Sequence, residues 1–122
     1  MIRVVLNRNK GLITSVTVTG HAGKKAPDGI LKKIFKSPPE YGNILCASVS
    51  VLCYMLANAL ERVEGLNIVV EEKPGFFKVS LKNFKDTKKA EGYFLTFVIT
   101  INDLKVNYPQ KIQVVEEDEN VT

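Results

Sequence analysis

The sequence predicts an α+β fold: a mostly antiparallel sheet with two helices packed against it, in the order β-β-α-β-β-α-β. Two observations lead to this fold. Short segments of alternating apolar and polar residues flank turn residues, which is typical of hairpins, and two longer apolar stripes advance by three and four residues, which is typical of helices. The 122 residues fit one domain, residues 1–122, and the 45% hydrophobic and 25% charged content is ordinary for a globular protein.

Alternation predicts five strands. The first covers residues 2–7, where one face carries Ile2, Val4 and Leu6. The second covers residues 12–19, where one face carries Leu12, Thr14, Val16 and Val18. Residues 9–11, Asn-Lys-Gly, supply the turn between them. A second hairpin is predicted over residues 66–73 and 76–81 around a Pro-Gly turn, and a short last strand over residues 112–115.

Two apolar stripes predict the helices. In the first, Asn43 is the expected N-cap, Gly65 ends the helix, and the stripe comprises Leu45, Val49, Leu52, Leu56, Ala59 and Val63. The region 86–107 is ambiguous, because the aromatic and β-branched residues 93–101 favour a strand. An apolar stripe over five turns nevertheless favours a helix. The stripe comprises Ala90, Phe94, Phe97, Ile101, Leu104 and Tyr108. Asp86 or Thr87 is the expected cap of this helix, and Pro109 is expected to stop it. We predict a helix.

Charge is unevenly distributed along the chain. The net charge is +4, but the last eleven residues contribute −4, so that residues 1–111 carry +8. We expect an acidic tail at 116–122 and a long mobile loop at 24–41, which contains prolines, glycine and five lysines: Lys24, Lys25, Lys32, Lys33 and Lys36. These lysines are either simply solvated or in contact with an acidic surface or a phosphate-rich partner such as ribosomal RNA.

The chain has none of the features of a secreted or membrane protein. The N-terminus lacks the long apolar region of a signal peptide, and the near-apolar stretch 93–101 is far shorter than the ~20 residues that span a bilayer. We therefore expect a cytoplasmic location, no membrane contact and reduced thiols.

Cys46 is the candidate nucleophile. It follows the expected cap Asn43 by three residues, where free backbone N–H groups and the helix macrodipole favour a thiolate and could hold an oxyanion. The small residues Ala47 and Ser48 leave room for a substrate carbonyl. The other thiol, Cys53, is seven residues further on, about 10 Å away along a helix, which is too far for a disulfide.

The single histidine, His21, follows the second strand between Gly20 and Gly23. From this strand end its side chain could reach a helix start and form a thiolate–imidazolium couple with Cys46. From the residues alone, three readings stay open: a catalytic dyad, a structural cysteine with a solvated histidine, and a metal site. A metal site would need further ligands such as Asp28 or Glu40.

Two motifs resemble the ribosomal-processing cysteine protease Prp family. They are Gly20-His21-Ala22 after a strand, and residues 42–50, Gly-Asn-Ile-Leu-Cys-Ala-Ser-Val-Ser, at a helix start. The family has a G-H-A turn and a D-I-V-C-A-x-x-S helix start. The likeness also includes the central hairpin, the second helix and the Tyr-Pro stop at residues 108–109, and so covers nearly the whole chain.

The resemblance implies a cytoplasmic cysteine endopeptidase that removes the N-terminal extension of a large-subunit ribosomal protein. It implies a Cys-His dyad, with Cys46 as nucleophile and His21 as general base and proton donor, and no metal or cofactor. Supporting positions are Gly20, Asn43, Ala47 and Ser50. It also implies a homodimer and a loop that orders over substrate. The alternative function is a non-catalytic ribosome-associated RNA-binding factor.

This chain departs from the family pattern twice. The usual Asp of the helix start is Asn43, which caps a helix equally well but cannot neutralise an imidazolium. The stretch between His21 and Cys46 is also about a dozen residues longer than the family spacing. We expect the longer loop to alter specificity more than chemistry.

Overall fold

The computed structural model describes residues 1–20 and 41–119, and of residues 41–43 only the backbone. His21, the five lysines between residues 24 and 36, and residues 120–122 lie outside the described residues. The predicted loop 24–41 therefore does so too, except for Tyr41, which begins the first helix.

Within the described residues, five strands form one sheet. The strands are β1 (Ile2–Asn9), β2 (Leu12–Thr19), β3 (Ile68–Lys73), β4 (Phe76–Leu81) and β5 (Ile112–Asp118), in the spatial order β3-β4-β2-β1-β5. The pairs β1–β2, β2–β4 and β3–β4 are antiparallel, and β5 alone runs parallel to its neighbour β1. The mostly antiparallel α+β fold and its element order are confirmed.

The first hairpin turns at Lys10 and Gly11, which both have positive φ, 53° and 81°. Two such residues form the tight turn whose twist matches a hairpin. The register of β1 and β2 then shifts between Asn7 and Arg8. As a result Ile13 is buried and Leu12 is only half-buried, so the predicted inner face of β2 is wrong at Leu12, whereas Thr14, Val16 and Val18 are buried as predicted. A bulge reverses the alternation, and sequence alternation alone cannot detect it.

The first helix, α1 (Tyr41–Asn58), continues as a short π-helical segment, Ala59–Val63. Gly65 then ends it with φ 72°, as predicted. The start differs from the prediction, because α1 begins at Tyr41. Asn43 therefore lies inside the first turn and is not the N-cap.

The second helix, α2 (Thr87–Asn107), follows a 3-10 turn at Phe84–Asp86. Four residues of the predicted stripe are buried along it: Ala90, Phe94, Phe97 and Ile101. This helix is confirmed over the strand alternative, because a five-turn apolar stripe outweighs local β-propensity when it can be buried against a sheet.

The core lies between the sheet and both helices. Its most deeply buried members include Val4, Val16 and Val79 from the sheet and Leu45, Leu60 and Phe94 from the helices. Residues 44–63 also form a helix long and apolar enough to cross a membrane by length and composition, with mean hydropathy 1.7. This window is longer than the stretch 93–101, and its buried residues belong to the core.

Strand β5 extends three residues beyond its predicted end. Glu116, Glu117 and Asp118 pair with Leu6, Asn7 and Arg8 of β1. The side chain of Arg8 also forms a salt bridge of 2.9 Å with Glu116. The first part of the predicted acidic tail is therefore sheet.

Candidate active site

Cys46 lies on the second turn of α1 and is a free, half-buried thiol. It is the sixth residue of the helix, whereas the sequence placed it third. The backbone N–H of Cys46 lies beyond the first four N–H groups of the helix and is therefore bonded within it. That backbone N–H groups of the first turn hold an oxyanion beside Cys46 stays a prediction. The macrodipole also acts on Cys46 more weakly than predicted, because its effect fades beyond the first turn.

Two of the supporting residues share this helix with Cys46. Ala47 and Ser50 are half-buried, and Ser50 lies one turn after Cys46 on the same side. Ser48 donates its hydroxyl hydrogen bond to the carbonyl of Ile44, at 2.8 Å, and so is bonded within the helix. That the small side chains at 47 and 48 leave room for a substrate carbonyl stays a prediction.

Cys53 has the opposite environment. It is 3% exposed and belongs to the core. Burial, reinforced by the negative charge of Glu72 and by Cys46, raises the pKa of the Cys53 thiol to about 12. At neutral pH Cys53 is therefore a protonated, inaccessible core residue, and of the two thiols only Cys46 can react readily.

Gly20 ends β2 in a conformation that only glycine adopts easily. Its φ is +94°, and a Cβ there would lie 2.0 Å from the carbonyl oxygen of Met1. Its N–H donates a hydrogen bond of 3.0 Å to the carbonyl of Gly75, at the turn between β3 and β4. Gly20 therefore fixes where the chain leaves the sheet immediately before His21.

The direction of α1 follows from its C-terminal contacts. After the helix, Leu66 donates its N–H to Leu60 O at 2.9 Å, and Asn67 O accepts from Lys82 N at 3.0 Å. The helix thus ends where β3 begins and β4 ends. Its N-terminal half, with Cys46, therefore points towards the opposite end of this hairpin, at Gly75.

A ring contact fixes the position of α1 along the sheet. Tyr54 packs edge-on against Phe77 with ring centroids 6.0 Å apart. Cys46 precedes Tyr54 by eight residues, or about 12 Å of helix. Phe77 pairs with Val18, and Gly20 lies two residues further along β2, about 7 Å. Seen from the Tyr54–Phe77 contact, Cys46 and the end of β2 therefore both lie towards the Gly75 end of the sheet.

The sequence did not indicate the importance of Tyr54 and Glu72. The Tyr54 hydroxyl donates a hydrogen bond to the carboxylate of Glu72, which joins α1 to β3. Partial burial, the hydrogen bond and the Glu72 charge raise the pKa of Tyr54 to about 12. Tyr54 lies two turns after Cys46 on its helix; a tyrosine hydroxyl among the otherwise apolar residues 51–57 was the signal available.

The described residues include no group of three or more His, Cys, Asp or Glu side chains that could hold a metal. The ligands considered with Cys46 for a metal site, His21, Asp28 and Glu40, lie outside those residues. That alternative is therefore not tested by the geometry.

The sequence of this chain matches a family of peptidases. A model of the family "Cysteine protease Prp" matches residues 1–113. The chain belongs to this family of cysteine proteases. A comparison with curated proteins finds no match.

Solved structures share the fold. SMU.848 from Streptococcus mutans is 29% identical with a TM-score of 0.76, and the match covers 98% of this chain and 96% of that one. Two structures of the essential ribosomal processing protease Prp from S. aureus have TM-scores of 0.73 and cover 96% of this chain and all of theirs. One holds a covalently linked product peptide, at 18% identity, and the other a substrate peptide, at 19%.

Proposed function

We propose that this protein is a cytoplasmic cysteine endopeptidase that removes the N-terminal extension of a large-subunit ribosomal protein, with Cys46 as nucleophile and His21 as general base and acid. The observation that carries this proposal is geometric. The reactive thiol of the two, Cys46, lies at the end of the fold where Gly20 delivers the chain to His21. The S. aureus relatives, a ribosomal processing protease with bound peptides, support the substrate class.

The reaction follows from these roles. His21 takes the thiol proton, and the Cys46 sulfur attacks the scissile carbonyl carbon to form a tetrahedral intermediate. The C–N bond then breaks as His21 donates that proton to the leaving amine, which leaves a thioester on Cys46. Water, deprotonated by His21, hydrolyses the thioester and restores the thiol.

The remaining positions support this chemistry in different ways. Gly20 sets the direction of the chain into His21, and the methyl side chain of Ala47 leaves room for the substrate carbonyl. Ser50 lies one turn below Cys46 on the side that faces the site. Asn43, in the first turn of α1, replaces the aspartate of the family, and Asn43→Asp tests whether a negative charge there matters to turnover.

Cleavage of an unprocessed ribosomal protein is the direct test. The precursor is incubated with wild type, Cys46→Ala and Cys53→Ala, and the products are weighed by mass spectrometry. We expect a shortened product from wild type and Cys53→Ala and none from Cys46→Ala. Cleavage by Cys46→Ala would show that Cys46 is not the nucleophile. No cleavage by any variant, with salt-sensitive binding of ribosomal RNA, would favour the RNA-binding alternative instead.

Thiol reactivity tests the dyad without a substrate. Iodoacetamide should modify Cys46 at neutral pH well before Cys53, whose thiol is buried with a pKa of about 12. His21→Ala should slow alkylation of Cys46, because it removes the proton acceptor. Equal labelling of both thiols would contradict the assignment of Cys46.

We also propose that the protein is a homodimer that associates through the outer surface of α1 and α2. Large apolar side chains are exposed there, among them Met55 at 56% and Ile99 at 61%. Between the helices lies a groove of about 100 Å³, lined in part by Met55, Tyr93 and Thr100. Exposed apolar residues grouped in this way are typical of a protein interface.

The sequence of α2 is self-complementary about Thr96. Lys89 lies seven residues before it and Asp103 seven residues after it, on the same side of the helix. If two copies of α2 pair antiparallel about a two-fold axis at Thr96, each Lys89 faces the partner's Asp103. Gly92, whose missing Cβ faces open space, permits close approach.

Charge exchange tests this arrangement by light scattering after gel filtration. Lys89→Glu and Asp103→Lys should each weaken the dimer, and the double variant should restore it. Lys88→Glu, on a different side of α2, is the control and should have no effect. A dimer unaffected by either single change would refute this interface. Ribosomal RNA contact through the lysines at 24–36 remains a prediction from the sequence.

A further inference from the structure

The outer edge of β3 offers hydrogen-bonding groups close to the proposed active site. In the spatial order of the sheet, β3 is the first strand, and among the described residues it pairs only with β4. Asn67 O accepts from Lys82 N, so these two residues form a hydrogen-bonded pair. Antiparallel pairs alternate, so the outward-pointing N–H and C=O groups of β3 belong to Ile68, Val70 and Glu72.

This edge is also accessible from the helix side. Val70 pairs with the buried Val79 and so points to the face that carries α1, yet it is 43% exposed. Therefore α1 stops short of the edge. It reaches β3 through Tyr54, whose hydroxyl bonds to Glu72. Within the part of the chain that the structure describes, a strip remains open beside β3, and the side of α1 that carries Cys46, Ser50 and Tyr54 flanks it.

We propose that an extended stretch of the peptide substrate binds as an added strand along the outer edge of β3, with main-chain hydrogen bonds to Val70 and Glu72. The proposal rests on the proposed peptidase function and adds how the substrate is held. Peptides commonly bind in this way to exposed sheet edges, because the backbone groups supply affinity for any sequence that can extend.

The geometry sets which substrate residues pair. Cys46 lies about 12 Å along α1 from Tyr54, which contacts Glu72. An extended peptide covers that distance in three to four residues, and Val70 lies two residues further. The paired substrate residues should therefore lie roughly three to six residues from the cut bond, all on one side of it.

One test removes the donor on the enzyme. Val70→Pro deletes an N–H that points away from β4, a position where proline is tolerated in an edge strand. Its kcat/KM for the ribosomal precursor should fall at least about tenfold, mainly through KM, since main-chain bonds are lost. Val69→Thr, whose side chain lies on the opposite face, should stay within twofold. An unchanged alkylation rate of Cys46 in Val70→Pro would show that the fold persists.

A second test leaves the protein unaltered. A peptide spanning the site where wild type cuts is N-methylated at one amide at a time. The kcat/KM should fall at alternate positions three to six residues from the cut. If N-methylation at consecutive positions is tolerated equally, or if the kcat/KM of Val70→Pro stays within twofold of wild type, the substrate does not bind as an added strand on β3. Failure of the proposed peptidase function would give a different result: wild type would not cut the precursor, or Cys46→Ala would cut it equally well.

Discussion

Replacing Gly20 by alanine should destabilise the protein more than the same change at another glycine with positive φ. Alanine at a φ near +94° costs about 1–2 kcal/mol. The added Cβ would lie 2.0 Å from the Met1 carbonyl oxygen, which is backbone and cannot rotate away. The chain must therefore shift and strain the Gly20–Gly75 hydrogen bond, for about 1 kcal/mol more. We expect a total loss of about 2–3 kcal/mol.

Gly11→Ala is the matched control. Its φ of +81° imposes the same conformational cost, but a Cβ there meets nothing within 4 Å. Its loss should be only about 1–2 kcal/mol. Urea unfolding monitored by circular dichroism measures both, provided that the m-value is unchanged.

The difference between the stability losses of the two variants measures the steric cost of a Cβ at residue 20 against the Met1 carbonyl. Equal destabilisation by both would refute that steric argument and leave only the backbone conformation as the cause. If Gly20→Ala folds, its cleavage rate should fall further than its folded fraction, because the chain then enters His21 from a shifted position.

Further predictions concern the helices and their contacts. Tyr54→Phe should remove one late-titrating tyrosine, with a pKa of about 12, from the absorbance titration at alkaline pH. The native state holds this proton more tightly than the unfolded state does. Wild type should therefore lose more stability than Tyr54→Phe as pH rises above about 10. Equal losses of stability in the two proteins would contradict the Tyr54–Glu72 hydrogen bond. Phe94→Ala, at a fully buried position, should cost about 3–5 kcal/mol, whereas Val106→Ala, 78% exposed and on the side of α2 that carries Lys88, should cost under about 0.5, both by urea unfolding.

Local patterns predicted the elements well. Turn residues such as Lys10-Gly11 and Pro74-Gly75 identified both hairpins, because positive φ strongly restricts residue choice. The stripe through Phe94 and Ile101 identified α2 despite its β-branched residues. These features depend on neighbours in sequence, so the sequence alone contains them.

Features that depend on distant partners were not predictable. The bulge that turns Ile13 inward and the extension of β5 to Asp118 arise from pairing with β1. The Tyr54–Glu72 bond likewise joins two elements that local pattern does not relate. The start of α1 differed by three residues, which changed the expected role of Asn43 and moved Cys46 out of the first turn.

The parallel pairing of β1 with β5 has a consequence for synthesis of the chain. Arg8 and Glu116, which join these strands, are 108 residues apart. One edge of β1 therefore stays open until β5 has left the ribosomal exit tunnel. Contacts this distant slow folding and leave a strand edge exposed to mispairing in the meantime. A nascent chain that stalls before β5 should expose that edge and be the species most prone to aggregate.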